Sequence, residues 1–384
     1  MGQYGSLAFV SDHVVEGMHM TARFRADQVG SLLRPPELLR VRAAHAEGKL
    51  ELDALRQLED RAILEAIAMQ QQVGIDVYSD GEFRRERFLT SLIEAVDGFV
   101  TDRFEMAWRG DESAEVRQAP MIVGARLRPA RRLTGHEVSF LQKHAPGAFK
   151  ITLTSPTLFM EVAYKPGLTD QFYATRADLL QDLVRIVGAE IRALVDEGVS
   201  YVQMDAPHYT YYLDGNLRDR MRQKGVDPDR AFDEAIAADN ACFAGARRDG
   251  VTLALHVCRG NSRSRWFTEG AYDPIAERLF GSLDVDTFLL EYDSERCGGF
   301  EPLRFMPAGK TVVLGLVSTK GPQMESRDEL MRQIEAASRY VPIEDLALSP
   351  QCGFASMAEG NLLSADDQRR KLELVVEVAR RVWG

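Results

Sequence analysis

Several features are scarce or missing in this sequence of 384 residues. Four cysteines are too few for a disulfide scaffold in a chain of this length. Near the N-terminus the longest apolar run covers only residues 7–10, far short of the ~18 residues that a membrane helix needs. Basic residues are outnumbered by acidic ones, 47 against 58, and the net charge of −11 disfavours binding to nucleic acid or to anionic membranes. Partners of these two kinds are therefore not expected.

Residues 1–22 have little hydrophobic periodicity and contain two further methionines, Met18 and Met20. They carry no signal-peptide pattern, so the cytoplasm is the expected compartment. We expect a loose N-terminal leader over residues 1–22 and one folded domain over residues 23–384.

One pattern recurs in the rest of the chain: an amphipathic helix, a glycine that ends it, and a short apolar run. The periodicity predicts helices over residues 52–73, 177–197, 230–249 and 365–382. The first three are followed by Gly74, Gly198 and Gly250, which suit the left-handed conformation of a helix C-terminus. The short, mostly apolar runs that follow are typical of strands in a buried parallel sheet.

The apolar runs predict eight strands, at residues 27–30, 75–79, 149–154, 200–205, 251–256, 286–291, 311–317 and 345–350. Eight β/α units favour a single (β/α)8 TIM barrel over a pair of doubly wound domains. The interval 92–148 is too long for one loop and contains strand-like pieces. We therefore predict a β-hairpin insertion after the second strand.

Reactive side chains gather where the predicted strands end, which is the catalytic face of such barrels. His256 and Cys258 end the fifth strand, Glu291 ends the sixth, and Cys352 follows the eighth. His256 and Cys258 are two residues apart, so their side chains point to the same side of the strand. Zinc accepts imidazole, thiolate and carboxylate ligands in a tetrahedral shell, so these four residues predict a Zn2+ site.

The competing interpretation is that Cys258 and Cys352 are buried small hydrophobes and that His256 is a satisfied core histidine. For any one of these residues alone, that interpretation would be favoured. Their joint position on the active face of a barrel favours the metal site. Cys242, inside a predicted helix, and Cys297, in a Gly-rich loop, lie away from strand ends and are expected to be inert thiols.

These residues resemble the catalytic barrel of the cobalamin-independent methionine synthases over roughly residues 23–384. That family holds zinc with a His-x-Cys pair, a glutamate at an apolar strand end and a cysteine in a Pro-x-Cys-Gly turn. The matching segments here are His256-Val257-Cys258, Leu289-Leu290-Glu291 and Pro350-Gln351-Cys352-Gly353. The resemblance implies the same zinc ligands and a thiol substrate.

Three more segments resemble the family, namely Gly30-Ser31, Gly81-Glu82 and Gln203-Met204-Asp205. By this likeness Glu82 and Asp205 would hold the amino group of homocysteine, and the Ser31 backbone its carboxylate. A buried ammonium group does need acidic partners. The alternative for Asp205 is a helix cap, and for Glu82 it is a surface ion pair with Arg84 or Arg85.

The sequence also departs from the family, mainly on the side of the methyl donor. It has room for one barrel, as in the short, single-barrel branch of the family. The methionine synthases have a second, N-terminal barrel and resemble the product of a duplication. Ala206 replaces an acidic residue, Lys320 stands where the family has a histidine, and no aromatic residue in 151–160 matches the one near the folate. Lys320 and His208 are the candidate general acids that would protonate the leaving nitrogen. Because of these departures from the family, we expect weak activity with long-chain folates.

The predicted function is a zinc-dependent methyltransferase. It would activate homocysteine as a zinc thiolate and methylate it from a 5-methyltetrahydrofolate-type donor, giving methionine. One alternative is zinc-dependent alkyl transfer between another thiol and another donor, which could be a methylated partner protein. A further alternative is a zinc-holding methyl-carrier or binding protein without turnover.

Overall fold

The fold is taken from a computed structural model, which describes residues 24–109 and 114–384. The predicted leader, residues 1–22, lies outside this part. The strands are β1 (Val96–Ala107), β2 (Ala114–Pro129), β3 (Lys150–Thr154), β4 (Tyr201–Asp205), β5 (Thr252–Val257), β6 (Thr287–Glu291), β7 (Thr311–Val317) and β8 (Leu346–Pro350).

The α-helices in this part of the chain are α1 (Pro36–Ala46), α2 (Leu52–Val73), α3 (Thr90–Ala95), α4 (Gly135–His144), α5 (Pro156–Ala163), α6 (Arg176–Asp196), α7 (Gly215–Gln223), α8 (Pro228–Phe243), α9 (Asp273–Ser282), α10 (Arg327–Ala337) and α11 (Ala365–Trp383). Short 3-10 helices cover Thr169–Gln171, Pro207–Tyr212, Glu295–Cys297, Glu301–Phe305 and Ile343–Asp345. None of the helices described is long and apolar enough to cross a membrane.

The strands β3 to β8 form one parallel sheet in chain order. Two extended segments, around Ala26 and Tyr78, join its two edges through backbone hydrogen bonds. These bonds are Asp27 N to Leu348 O at 2.9 Å, Asp76 N to Ala26 O at 3.0 Å and Lys150 N to Tyr78 O at 2.9 Å. The six strands and these two segments thus complete a ring of eight, and the predicted (β/α)8 barrel is confirmed.

The first two predicted strands differ from the other six. Each forms a single parallel bridge, Ala26 with Leu348 and Tyr78 with Phe149, and neither is a regular strand. The backbone leaves the sheet early there, because Gly30 adopts a φ of 143° and Gly81 a φ of 69°. The other six strands begin and end within one residue of the prediction. The two short segments are the ones that carry Ser31 and Glu82 to the mouth of the barrel.

One layer inside the barrel takes one buried side chain from each of seven ring positions. These residues are Val29, Val77, Tyr201, Ala254, Leu289, Val313 and Ala347. The eighth position, on β3, supplies Lys150, whose Nζ lies 2.7 Å from Asp27 Oδ1 and 4.2 Å from the centroid of the Tyr201 ring. A buried ion pair therefore completes an otherwise apolar layer.

Helix ends follow the local backbone chemistry. Helix α2 has the predicted bounds, and Gly74 ends it with a φ of 86° while its N–H donates to Gln70 O. Helix α8 ends at Phe243, six residues before the predicted end. The chain turns there because Ala244 is extended (ψ of 126°) and Gly245 has a φ of 75°.

The segment 92–148 contains the predicted hairpin, since β1 and β2 pair antiparallel from Val96–Pro129 to Ala107–Ala114. The hairpin packs on α5, where the ring centroids of Phe99 and Phe159 are 6.1 Å apart. Beyond β1, Arg109 N donates to Trp266 O at 2.7 Å in the loop after β5. The hairpin thus reaches across the mouth of the barrel.

Candidate metal centre and substrate cavity

A cavity of about 900 Å³ opens where the barrel strands end. Its walls include side chains from the ends of β4 and β5, from the turn after β8 and from both of the short ring segments. Six of the residues predicted for the site line it: Ser31, Glu82, Asp205, His256, Cys258 and Cys352. Tertiary structure therefore unites positions that are more than 300 residues apart in the chain.

Three of the four predicted zinc ligands form one buried group, the Cys-Cys-His cluster of His256, Cys258 and Cys352. Their ligand atoms all lie within 4.8 Å of one another, and the two Sγ atoms are 3.7 Å apart. Neither ring nitrogen of His256 has a hydrogen-bond partner among the described residues. Buried polar atoms rarely lack partners, so this donor set fits a metal ion.

The two thiols of the cluster are not equivalent. A hydrogen bond between them lowers the pKa of Cys352 well below its ordinary value, with His256 adding to the effect. The same hydrogen bond, together with burial, raises the pKa of Cys258 well above its ordinary value. Of the two thiols, Cys352 is therefore the one whose surroundings favour the thiolate form that a metal ion binds.

The fourth predicted ligand, Glu291, lies outside the Cys-Cys-His cluster. Its Oε2 accepts a hydrogen bond from the Arg259 backbone N–H at 2.6 Å, and its Oε1 lies 3.4 Å from Arg296 Nη2. Its carboxylate groups with Asp293 and Cys297 instead. Glu291 as a metal ligand stays a prediction.

Glu82 occupies an unusual backbone conformation that points its side chain into the cavity. Its φ is 57°, a value that costs energy for a residue other than glycine. Asp80 Oδ1 accepts its N–H at 2.8 Å, and Arg34 donates to its carbonyl at 3.0 Å. Glu82 Oε1 accepts from the Thr152 hydroxyl at 2.8 Å, while the buried Oε2 has no partner among the described residues. One carboxylate oxygen is thus left to bind a ligand.

Asp205 is the last residue of β4 and lines the cavity beside the cluster. Its Oδ1 accepts from Gln203 Nε2 at 2.9 Å. Burial raises the pKa of Asp205 to about 7, against the opposing field of His256, and Glu82 raises it further. Neither Asp205 nor Glu82 is a surface residue, and Glu82 Oε1 lies 3.8 Å from Arg85 Nη1 in a buried ion pair.

Two glycines allow the close approaches around these groups. A Cβ on Gly30 would lie 2.9 Å from Thr152 Cγ2 and 3.1 Å from Glu82 Oε1. A Cβ on Gly353 would lie 2.0 Å from Ser31 Oγ. The Ser31 segment can therefore approach the Cys352 turn only because residue 353 has no side chain.

The two candidate general acids do not line the cavity. His208 is buried, its Nε2 lies 2.6 Å from Thr157 Oγ1, and burial lowers its pKa to about 3. Lys320 Nζ donates to the carbonyl of Gly260 at 3.0 Å and to Asn261 Oδ1 at 3.3 Å, which holds the loop after β5. This arrangement supports neither residue as a proton donor to a bound molecule.

The outer part of the cavity, which we call the outer chamber, is mostly apolar. Its walls include Phe88, Trp108, Leu158, Phe159, Met221 and Phe267. Four cations also line the cavity, namely Arg87, Arg176, Arg220 and Lys224, and the last two are exposed. Among the lining residues the carboxylates are those of Glu82 and Asp205, both buried beside the cluster.

Sequence reasoning missed most of the outer chamber and the residues that support the two carboxylates. Trp108 reaches the cavity from the hairpin, and Met221 from α7, so neither follows a barrel strand. For the supporting residues one signal was available, a lysine at position 150 within a strand predicted to be buried. A buried charge in a strand needs a partner, and that partner is part of the site.

The fold and the site define a barrel protein that has a cluster of two thiols and one imidazole at its mouth, beside two buried carboxylates. The chain belongs to the family of cobalamin-independent synthase catalytic domains, which it matches over residues 24–381. The resemblance inferred from the strand-end residues is thereby confirmed.

Individual proteins agree with this assignment. The uncharacterized protein YxjG of Bacillus subtilis (strain 168) is 36% identical over 363 residues, covering 94% of this chain and 95% of that protein. The methionine synthase of Sulfolobus acidocaldarius is 24% identical over 357 residues, covering 89% of this chain and 93% of that enzyme. A B12-independent methionine synthase structure from Shewanella sp. W3-18-1 shares the fold, with a TM-score of 0.71 at 21% identity over 92% of this chain and 96% of that one.

Proposed function

We propose that this protein is a zinc-dependent methyltransferase that converts homocysteine to methionine, with a methyl group taken from a 5-methyltetrahydrofolate-type donor. One observation carries the proposal. The Cys-Cys-His cluster lines the same cavity as the two buried carboxylates Glu82 and Asp205, and neither nitrogen of His256 has a hydrogen-bond partner among the described residues. A thiol that also carries an amino group matches these two features together.

His256, Cys258 and Cys352 would hold the zinc ion, and Glu291 is the proposed fourth ligand. When bound, zinc supplies a Lewis acid that favours the thiolate form of a coordinated thiol at neutral pH. Glu291 is buried and retains the Arg259 N–H and the Arg296 guanidinium as alternative partners. These partners would compensate the charge of the Glu291 carboxylate whether or not it is bound to the ion.

The carboxylates would orient the substrate by its amino group. Glu82 Oε2 has no partner among the described residues, and the Asp205 side chain lines the same wall. Both can accept hydrogen bonds from an ammonium group, and such charge-assisted bonds are the stronger ones. The Ser31 backbone, on the same wall, is proposed to bind the substrate carboxylate. Together these contacts would fix the direction in which the sulfur faces.

The outer chamber would hold the methyl donor. In the reaction a sulfur–carbon bond forms as the carbon–nitrogen bond of the donor breaks, and the nitrogen takes up a proton. Attack in line with the leaving nitrogen requires that the two substrates be held in a fixed relative position. The apolar walls around Trp108 and Phe267 would exclude water from that contact.

The test is product analysis. The zinc-loaded protein is incubated with homocysteine and a panel of methyl donors: the mono- and triglutamate forms of 5-methyltetrahydropteroate, methylcobalamin and S-adenosylmethionine. Mass spectrometry should detect methionine with the folate-type donors, and metal-depleted protein should form none. Turnover with none of these donors would contradict the small-molecule methyltransferase. Turnover with methylcobalamin alone would retain thiol methylation and replace the donor.

A further inference from the structure

The carboxylate of Glu82 is the end of a buried chain of polar side chains. Glu137 pairs with Arg85, whose Nε lies 2.8 Å from Glu137 Oε1. Arg85 Nη1 donates to Thr152 Oγ1 at 2.8 Å, and Thr152 Oγ1 donates to Glu82 Oε1 at 2.8 Å. All four side chains are buried. We name this chain the Thr152 arm.

Asp205 ends a second chain of the same design. Asp27 pairs with Lys150, the Oδ1 to Nζ distance being 2.7 Å. Lys150 Nζ donates to Gln203 Oε1 at 2.9 Å, and Gln203 Nε2 donates to Asp205 Oδ1 at 2.9 Å. These four side chains are buried as well. We name this chain the Gln203 arm.

In both arms a buried cation fixes the direction of the hydrogen bonds. Arginine and lysine side chains are donors only, so the neutral residue next to each cation must accept from it. The Thr152 hydroxyl is then left to donate its proton to Glu82. The Gln203 amide is likewise turned so that its nitrogen faces Asp205. Each carboxylate therefore has a fixed hydrogen-bond donor. Neither a rotation of the Thr152 hydroxyl nor a flip of the Gln203 amide can replace it without losing the bond to the cation.

Both arms include a residue of the strand β3. Lys150 and Thr152 lie two residues apart on β3, so their side chains leave the same face of the strand, toward the barrel interior. Each arm holds two carboxylates, one cation and one neutral residue. Each cation is therefore matched by the carboxylate behind it, at Glu137 or Asp27, and is not the sole counter-ion of the carboxylate at the cavity.

We propose that Thr152 and Gln203 are positioning residues that hold Glu82 and Asp205 as oriented acceptors for the ammonium group of the substrate. This inference rests on the proposed function. Thr152 holds one oxygen of Glu82 in place, so that the unpartnered Oε2 faces the ligand. Gln203 does the same for Asp205 through Oδ1. The arms thus select thiols that carry an amino group over thiols that do not.

Thr152→Val tests the first arm, since valine keeps the shape of threonine and removes the hydroxyl. The probes are homocysteine and 4-mercaptobutanoate, which is homocysteine without its amino group. We expect the KM for homocysteine to rise about tenfold, because a hydrogen bond to a charged group is lost. The KM for 4-mercaptobutanoate and both kcat values should change less than about twofold. Thr152→Ser restores the hydroxyl and should return the KM for homocysteine toward the wild-type value.

A matched control is available in Thr252, a buried threonine of β5 whose hydroxyl has no partner among the described residues. Thr252→Val should leave both KM values unchanged. Gln203→Met tests the second arm and should repeat the selective loss. Zinc content and thermal melting of every variant verify that it is folded and loaded, and calorimetric binding of the two thiols gives the same ratio without turnover.

The outcomes separate the inference from the proposed function. If the wild-type protein does not prefer homocysteine to 4-mercaptobutanoate, the ammonium site of the proposed function fails, and the inference fails with it. If the wild-type protein has this preference and Thr152→Val and Gln203→Met keep it, the inference fails alone. An equal loss for both thiols, or no rescue by serine, would make the arms merely structural and would overturn the inference.

Discussion

The two ends of the cavity differ in the way they can recognise a ligand. At the inner end, Glu82 and Asp205 are buried and fixed by hydrogen bonds from Thr152 and Gln203. The ring nitrogens of His256 have no hydrogen-bond partner in the part of the chain that the structure describes. The outer chamber instead presents aromatic and aliphatic side chains, with its exposed cations at the rim. The inner end therefore offers directed bonds, and the outer chamber offers mainly shape and apolar surface.

This difference decides how sharply each substrate is specified. An unpaired buried polar atom imposes a cost of ~1–3 kcal/mol that a matching ligand removes, so the inner end discriminates by chemistry. Apolar contact is non-directional, so the outer chamber discriminates by size and shape. The acceptor thiol is for this reason defined more closely than the methyl donor.

The largest effect is expected for the metal ligands. Cys258→Ser and Cys352→Ser should each reduce bound zinc from ~1 per chain to a small fraction of that value, since a soft ligand of a four-ligand site is lost. Metal analysis of the purified variants measures this. Cys242→Ser and Cys297→Ser are the matched controls and should keep their zinc. Unchanged zinc in both of the first two variants would rule out the site.

A smaller effect is expected for the carboxylates of the inner end. Asp205→Asn removes a negative charge while keeping an acceptor for Gln203, so the KM for homocysteine should rise ~10- to 100-fold. Zinc content should not change. Steady-state kinetics with homocysteine and 4-mercaptobutanoate give the comparison. An equal rise for both thiols would mean that Asp205 does not bind the amino group.

Truncation in the outer chamber should have a weaker effect, and one confined to the donor. The ring of Phe267 lies 5.9 Å from Trp108 and 5.2 Å from Tyr211, measured between centroids. Phe267→Ala should raise the KM for the methyl donor ~2- to 10-fold, as the loss of an aromatic contact does, and leave the KM for homocysteine unchanged. Phe300→Ala, which disrupts an aromatic pair away from the cavity, is the control. A larger rise in the KM for homocysteine than in the KM for the methyl donor would contradict the assignment of the two substrates to the two ends of the cavity.

The smallest effect is expected for a buried carboxylate that serves neither end. Asp239 accepts hydrogen bonds from Ser155 at 2.7 Å and Tyr209 at 2.8 Å, and burial raises its pKa to about 7. Its unfolded pKa is near 3.9, so its stabilising contribution is fully present below about pH 4 and is lost as the pH rises through 7. Asparagine stays neutral at every pH. The free energy of unfolding of Asp239→Asn, relative to that of the wild-type protein, should therefore be higher at pH 8 than at pH 5 by on the order of 1 kcal/mol.

Thermal melting of the Asp239→Asn variant and the wild-type protein at the two pH values measures this difference. The melting temperature of the variant, relative to wild type, should be higher at pH 8 than at pH 5. The zinc content should be the same in both proteins. A constant difference between the two pH values would mean that Asp239 keeps an ordinary pKa in the folded protein.

The fold could be predicted wherever local chemistry and periodicity agreed. Helix α2 has the predicted bounds because Gly74 ends it, and the strands β3 to β8 follow short, mostly apolar runs. The segments around Ala26 and Tyr78 could not be predicted in detail. Their apolar residues resemble a strand, but whether a segment pairs along its length depends on neighbours that are distant in the chain.

The sequence by itself determined the order of the elements and the residue types at the strand ends, and from these came the likeness to the cobalamin-independent synthases. Only the tertiary structure decided which of those residues meet. It brought Cys352 to Cys258, kept Glu291 on Arg259, and placed Lys320 and His208 behind the cavity wall. The physical reason is that spacing along the chain fixes the face of a strand on which a side chain lies. Distances between strands, and the partner that each buried polar atom finds, are set by the closure of the barrel.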